Sequence, residues 1–147
     1  ARIWRTPLLG ELFQALSTRR RLHRAMEQVN PKGLPRAFVD RMADDADAGT
    51  KRAVLRLYRA TGDPAAQAER LAAALRPLGR PALVVWGERD PFIPVAVAER
   101  QGEVFPGAEI VRLPKSGHWP YADDPEGVAA AVVPFLRRVV ADEEEDR

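Results

Sequence analysis

Only two stretches of this 147-residue chain read as β-strands, and what lies between them limits how they can pair. Ala82-Leu83-Val84-Val85-Trp86 is an unbroken apolar run, rich in β-branched and aromatic residues and closed by Gly87. A run without alternation is the pattern of a strand covered on both faces. Glu109-Ile110-Val111-Arg112-Leu113 is the second strand-like run. A helix-like segment at about residues 95–104 and a Phe105-Pro106-Gly107 turn separate the two. The result is a β-α-β unit, which favours a parallel pair with a right-handed crossover. Both strands then end at one edge of the sheet, and each is followed there by a titratable residue. These are Asp90, in a loop stiffened by Pro91 and Pro94, and His118, at the end of Pro114-Lys115-Ser116-Gly117-His118. In open α/β sheets that edge is where sites are built.

The first 80 residues read as short helices. Thr6-Pro7 has the form of a cap followed by a proline at the first helical position, and Leu9, Leu12, Phe13 and Leu16 follow as one apolar stripe. Thr18 can cap a second helix that turns Leu22, Ala25, Met26 and Val29 inward, ended by the turn residues Asn30-Pro31-Lys32-Gly33. Phe38, Val39 and Met42 mark a third helix, and Asp44-Asp45-Ala46-Asp47 a polar break. A fourth begins near Thr50 and is expected to bury Val54, Leu55, Leu57 and Tyr58. Asp63-Pro64 opens a fifth, with Leu71, Leu75 and Leu78 as its apolar positions. Beyond His118, Asp123-Asp124-Pro125-Glu126 is read as cap and early proline, so Asp123 and Asp124 are taken as capping residues rather than ligands. The last helix turns Val128, Ala131, Val132, Phe135 and Leu136 inward, with Pro134 expected to kink it. Residues 142–147 are expected to be a frayed acidic tail.

Charge is uneven along the chain. Residues 1–80 hold 16 Lys/Arg against 8 Asp/Glu, and residues 81–147 hold 7 against 13. With no nucleic-acid motif present, the basic half is read as solvated helix faces, and no nucleic-acid partner is expected. No apolar run approaches the roughly 20 residues of a membrane span, and the first residues lack a signal peptide's apolar core. No membrane partner is expected. The absence of cysteine removes thiolate chemistry and disulfides and is compatible with the cytoplasm, the expected compartment. The two histidines, His23 and His118, are far apart, so no metal site is expected; His23, after three arginines, is read as solvent-facing.

Taken singly, an Asp before a proline is a turn and a Gly-His a loop surface. Together, on successive loops at one sheet edge, they read as a base and its orienting acid. A carboxylate that accepts from one imidazole N–H fixes the tautomer and stabilises the charged ring, leaving the other nitrogen to act as general base near neutral pH. Gly87 and Gly117 suit loops that turn sharply or approach a ligand. Trp86 is read as core. Phe92, Ile93, Trp119 and Tyr121 flank the pair in sequence and are candidates for an apolar substrate pocket or for packing.

Trp86-Gly87-Glu88-Arg89-Asp90-Pro91-Phe92-Ile93-Pro94, followed by Gly117-His118-Trp119-Pro120 and Asp124-Pro125, resembles the carboxyl end of the α/β-hydrolase fold. The likeness is to its epoxide hydrolase, haloalkane dehalogenase and esterase-like branch. The resemblance implies an α/β fold in which residues 1–62 are a helical cap. Residues 63–147 would be the carboxy-terminal part of the core, two parallel strands with flanking helices. It further implies that Asp90 is the acid and His118 the base of a nucleophile-His-Asp triad acting on a small apolar ester, epoxide, lactone or halide, with no cofactor.

The family order is nucleophile, acid, histidine. Among these residues there is no Gly-x-Ser-x-Gly elbow, nor the same frame with Asp or Cys, and Ser17 and Ser116 do not lie on a strand-to-helix turn. The chain is therefore expected to be a fragment, inactive alone, that supplies acid and base. The missing amino-terminal half of the same fold or a strand-supplying partner would complete it. The alternative is a truncated, non-catalytic module that binds a partner through its open sheet edge.

Overall fold

The computed structural model describes residues 2–145 and shows an α/β chain with two parallel strands in one sheet. The chain divides into two compact units. One holds the residues up to Gln28 together with Leu34–Ala68; the other holds Val29–Gly33 and the chain from Glu69 onward. The division falls inside a helix near residue 68 rather than at 62, and it returns a five-residue piece of the expected cap to the strand-bearing unit.

The first unit is helical. It contains α1 (Arg2–Arg5), α2 (Leu9–Ala15), most of α3 (Arg19–Val29), α4 (Arg36–Asp45), α5 (Ala48–Ala60) and the start of α6 (Pro64–Leu75). Polar side chains close three helix starts, at Thr18 and Asp63 as expected and at Asp47, which was expected only as part of a polar break, with α5 starting at Ala48 rather than near Thr50. Thr18 Oγ1 accepts from Arg21 N–H at 3.3 Å, Asp47 Oδ1 from Thr50 N–H at 2.7 Å, and Asp63 Oδ1 from Ala65 N–H at 2.9 Å. Thr6-Pro7 is different: the Thr6 N–H is bound to the Ile3 carbonyl of α1 at 3.2 Å, while its own carbonyl accepts from Gly10 N–H at 3.1 Å. Helix α2 begins only at Leu9, after Leu8 in the left-handed region at φ 66°. The polar break is shorter than expected, since Asp44 and Asp45 remain in α4 and pair with Arg19 and Arg41.

Val39 and Leu55 form the buried centre of this unit. Trp4 packs edge-on to Phe13 and stacks on Tyr58, and Arg59 grips both oxygens of Glu11 at 2.8 Å. Leu57, Leu71 and Leu78, expected inside, are exposed. His23, expected in solvent, is half-buried, with Nε2 at 2.9 Å from Asp40 Oδ1, which also receives Arg19. Those two partners hold the Asp40 carboxyl below the usual range, His23 being the larger influence.

In the second unit β1 (Leu83–Gly87) pairs in parallel with β2 (Glu109–Leu113), from Leu83 opposite Glu109 to Gly87 opposite Leu113. The crossover is α7 (Ala96–Glu99) followed by a 3-10 turn at Arg100–Glu103, so the expected helix is mostly a pair of tight turns. Helices α7, α8 (Pro120–Asp123) and α9 (Pro125–Glu145) pack on β1. Helix α9 continues through Pro134, with Leu136 exposed rather than inward. Asp142–Glu145 extend α9 by another turn in place of the expected frayed tail, and residues 146 and 147 lie outside the described residues. Among the described residues no helix is long and apolar enough to cross a membrane.

Candidate active site

The loops that leave the two strands are stitched together before either reaches its titratable residue. Glu88 N–H donates to Leu113 O at 3.1 Å, Arg89 N–H to Ser116 O at 3.0 Å, and Asp90 N–H back to Gly87 O at 3.2 Å. This works only because the crossing points lack side chains. A Cβ on Gly87 would stand 2.1 Å from Gly117 O, and one on Gly117 would stand 2.0 Å from Val29 O. Neither glycine has a positive φ, so both serve close approach of the chain to itself rather than a turn or a ligand.

Asp90 and His118 meet at that edge. Asp90 Oδ2 lies 2.8 Å from His118 Nδ1, while Oδ1 accepts from the Phe92 and Ile93 N–H groups at 2.8 and 3.1 Å. The carboxylate is 6% exposed and the imidazole 30%. Burial pushes the Asp90 pKa up, but the hydrogen bonds from His118, Phe92 and Ile93 together outweigh it and hold the group below the usual carboxylate range. An ionised Asp90 beside Nδ1 favours a proton on that nitrogen. Nε2 has no hydrogen-bond partner among the described residues. The Phe92 ring stands edge-on to the imidazole at 4.9 Å, and the Trp119 ring lies roughly parallel to it at 6.3 Å.

A cleft of about 270 Å³ opens beside the pair, lined in part by Val85, Trp86, Ile93, Pro120 and Tyr121 as well as by His118. Of the four aromatic and aliphatic candidates, Ile93 and Tyr121 line it; Phe92 and Trp119 do not, although both touch the imidazole. Trp86, expected to be core, lines the cleft and donates from Nε1 to Ile93 O at 3.3 Å. Among the described residues no group of three or more His, Asp or Glu side chains is placed to share a metal ion.

Four supporting residues were not evident in the sequence. Asn30, read as turn chemistry, is fully buried and its Oδ1 accepts from Trp119 N–H at 2.8 Å. Asp123, read as a cap, is buried and accepts from Gly117 N–H at 2.7 Å; Asp124 alone caps α9, through Gly127 N–H. Ser116 is fully buried with Oγ 3.3 Å from Asp124 Oδ2, so it is unavailable to a substrate. Lys32 pairs with Asp124 at 2.6 Å and is the main reason the Asp124 carboxyl lies below its usual range. The signal for Asn30 is long-range, its partner being 89 positions away; that for Asp123 is only 6 positions away but depends on how the intervening loop folds.

A sequence model of the alpha/beta hydrolase family matches residues 2–131. The chain belongs to that family. It is 38% identical over 58 residues to a 2-hydroxy-6-oxononadienedioate/2-hydroxy-6-oxononatrienedioate hydrolase of Burkholderia vietnamiensis, covering 40% of this chain and 20% of that protein. It is 27% identical over 63 residues to the uncharacterized hydrolase YugF of Bacillus subtilis, covering 43% and 23% respectively. A third relative, the dihydrolipoyllysine-residue acetyltransferase component of an acetoin cleaving system in Pseudomonas putida, is 43% identical over 58 residues, covering 40% and 15%. The matched stretches thus span less than a quarter of each of these relatives. Two of these relatives, those of Burkholderia vietnamiensis and Bacillus subtilis, are named hydrolases.

Proposed function

We propose that Asp90 and His118 are the acid and base of a nucleophile-His-Asp triad that hydrolyses a small, largely apolar ester, epoxide, lactone or halide. The observation that carries this reading is the 2.8 Å contact between Asp90 Oδ2 and His118 Nδ1 beside an apolar cleft at the carboxyl edge of β1 and β2. Asp90 holds the ring as its Nδ1–H tautomer, and Nε2 is the base. With a serine nucleophile, Nε2 removes the hydroxyl proton as oxygen attacks the acyl carbon, returns it to the leaving group, and then deprotonates the water that releases the acid. With an aspartate nucleophile, the carboxylate attacks directly, opening an epoxide, whose oxygen takes up a proton from solvent, or expelling halide. Nε2 is then needed only for the water that cleaves the ester intermediate. Ser116 is buried, Ser17 lies on the turn that follows α2, and no elbow motif occurs in these residues, so the nucleophile belongs to polypeptide beyond them. The helical unit is the proposed cap.

The test is made on the intact protein that carries this chain. It is screened against short p-nitrophenyl esters, a styrene oxide, a γ-lactone and a bromoalkane. His118→Ala is expected to abolish whichever turnover is found, leaving the circular dichroism spectrum unchanged. Turnover within tenfold of the parent would remove His118 as the base. A truncated binding module remains the reading to adopt if no substrate in the panel is turned over and a free partner is captured at the edge of the sheet.

A further inference from the structure

Three consecutive main-chain N–H groups carry the loop around His118, and each ends on a different acceptor. Gly117 N–H donates to the Asp123 carboxylate at 2.7 Å, His118 N–H to Val29 O at 2.9 Å, and Trp119 N–H to Asn30 Oδ1 at 2.8 Å. Two of the three acceptors come from Val29–Gly33, the piece that lies between helical residues of the other unit in sequence yet packs with the strand-bearing unit. Gly117 is pressed against the same piece, with no room for a Cβ beside Val29 O, Asn30 Cα or Pro31 Cδ. Asn30 is fully buried, and an asparagine carries that cost only when its polar atoms are matched. The segment is itself closed as a turn by Gly33 N–H to Asn30 O at 2.8 Å, with Gly33 at φ 82°, and is tied to the start of α9 by Lys32 and Asp124.

We infer that Asn30 is a positioning residue for His118: through the Trp119 amide it fixes the backbone from which the imidazole reaches Asp90. This inference rests on the triad reading above. It places the control of the base in a turn 88 positions away in sequence rather than in the loop's own residues. An imidazole hung from an untethered loop would still find Asp90, but over a spread of orientations. A displacement of about 1 Å at a reacting group can cost on the order of 10²-fold in rate.

The experiment compares Asn30→Ala, Asn30→Asp and His118→Ala in the intact protein. Two readouts are used, kcat and KM on the substrate found in the screen, and the downfield proton resonance of His118 Nδ1–H. Asn30→Asp keeps an oxygen for the Trp119 amide, so it is the rescue variant. Asn30→Ala is expected to lower kcat by roughly tenfold to a hundredfold with KM changed less than about threefold. It should also broaden or shift the Nδ1–H resonance at temperatures well below its melting point. Asn30→Asp is expected to recover most of the resonance and of kcat. A variant that merely loses stability, with kcat and resonance intact, would overturn the inference. So would an Asn30→Asp that rescues neither. Should Asn30→Ala not fold, Asn30→Asp alone decides, since loss of the resonance with the fold kept refutes the role of the acceptor. If His118→Ala retains turnover, the triad reading fails. The resonance still reports whether Asn30 sets the imidazole.

Discussion

Replacing Asp90 by Asn leaves shape and volume almost untouched while reversing one hydrogen bond. Oδ1 already accepts two main-chain N–H groups, at Phe92 and Ile93, in a carboxylate that is 6% exposed. An asparagine is expected to keep its oxygen there, because turning the amide over would set NH₂ against two main-chain donors and forfeit both hydrogen bonds. The amide nitrogen therefore faces His118 Nδ1, and it can only donate. The imidazole answers by accepting at Nδ1 and carrying its proton on Nε2, which removes the base. The expected loss in kcat is on the order of 10⁴-fold, the scale of a wrong-tautomer defect in such triads. Global stability should fall by only about 1–2 kcal/mol, the loss of one charge-assisted bond. Steady-state kinetics of the intact protein near pH 7.5, with ¹⁵N spectra of the imidazole, read both effects. A protein that keeps the proton on Nδ1, or whose kcat drops less than tenfold, would refute the reasoning.

Gly117→Ala would drive a methyl into Val29 O, main chain on both sides, so the cost should reach or exceed the upper end of the roughly 1–3 kcal/mol typical of overpacking; an unshifted guanidinium midpoint would mean that Val29–Gly33 does not seat on the His118 loop. Leu55→Ala, at a buried site in the helical unit, should cost about 2–4 kcal/mol by cavity formation, read as a lower urea midpoint, and should leave the Nδ1–H resonance of His118 in place. Acid weakens the fold through its paired carboxyls. Asp90 is depressed in the folded state, so its contribution is complete above its unfolded pKa of about 3.9 and is lost as pH falls below that through the folded value. Urea unfolding between about pH 5 and 2 should therefore be less pH-dependent in Asp90→Asn than in the parent, and equal slopes would contradict the depressed pKa.

Much of the site's geometry was legible because it is local. The run from Ala82 to Gly87 and the β2 stretch identify themselves by composition; observed β1 is shifted by one residue, and β2 runs over the expected positions. Once the pair is parallel, Asp90 and His118 must emerge at one edge, and the structure brings them into contact. What stayed hidden depends on distant chain. Nothing near Asn30 distinguishes a turn asparagine from one that will be buried under Trp119, and Asp123 and Asp124 have identical side chains in adjacent positions with opposite fates. His23 failed for the same reason: its neighbours in sequence are arginines, but its partner is Asp40 on another helix.

The apolar positions that proved exposed have a common cause. Leu57, Leu71 and Leu136 obey helical spacing as well as the positions that are covered, and only the layer against them differs from expectation; Leu78 lies beyond α6, in a 3-10 turn at Arg76–Leu78. Periodicity tells which face of a helix is apolar; it does not tell what lies against that face. A β-strand buried on both faces normally sits within a sheet of several strands, whereas β1 and β2 here pair only with each other among the described residues. Each strand keeps one unpaired edge, and Val133, Leu136 and Val140 of α9, the helix packed on β1, remain exposed. An unpaired edge and an uncovered stripe are what the proposed nucleophile-bearing strands would engage. On that reading one docking event would cover the apolar surface and bring the third triad member to Nε2, so that stability and activity would be gained together.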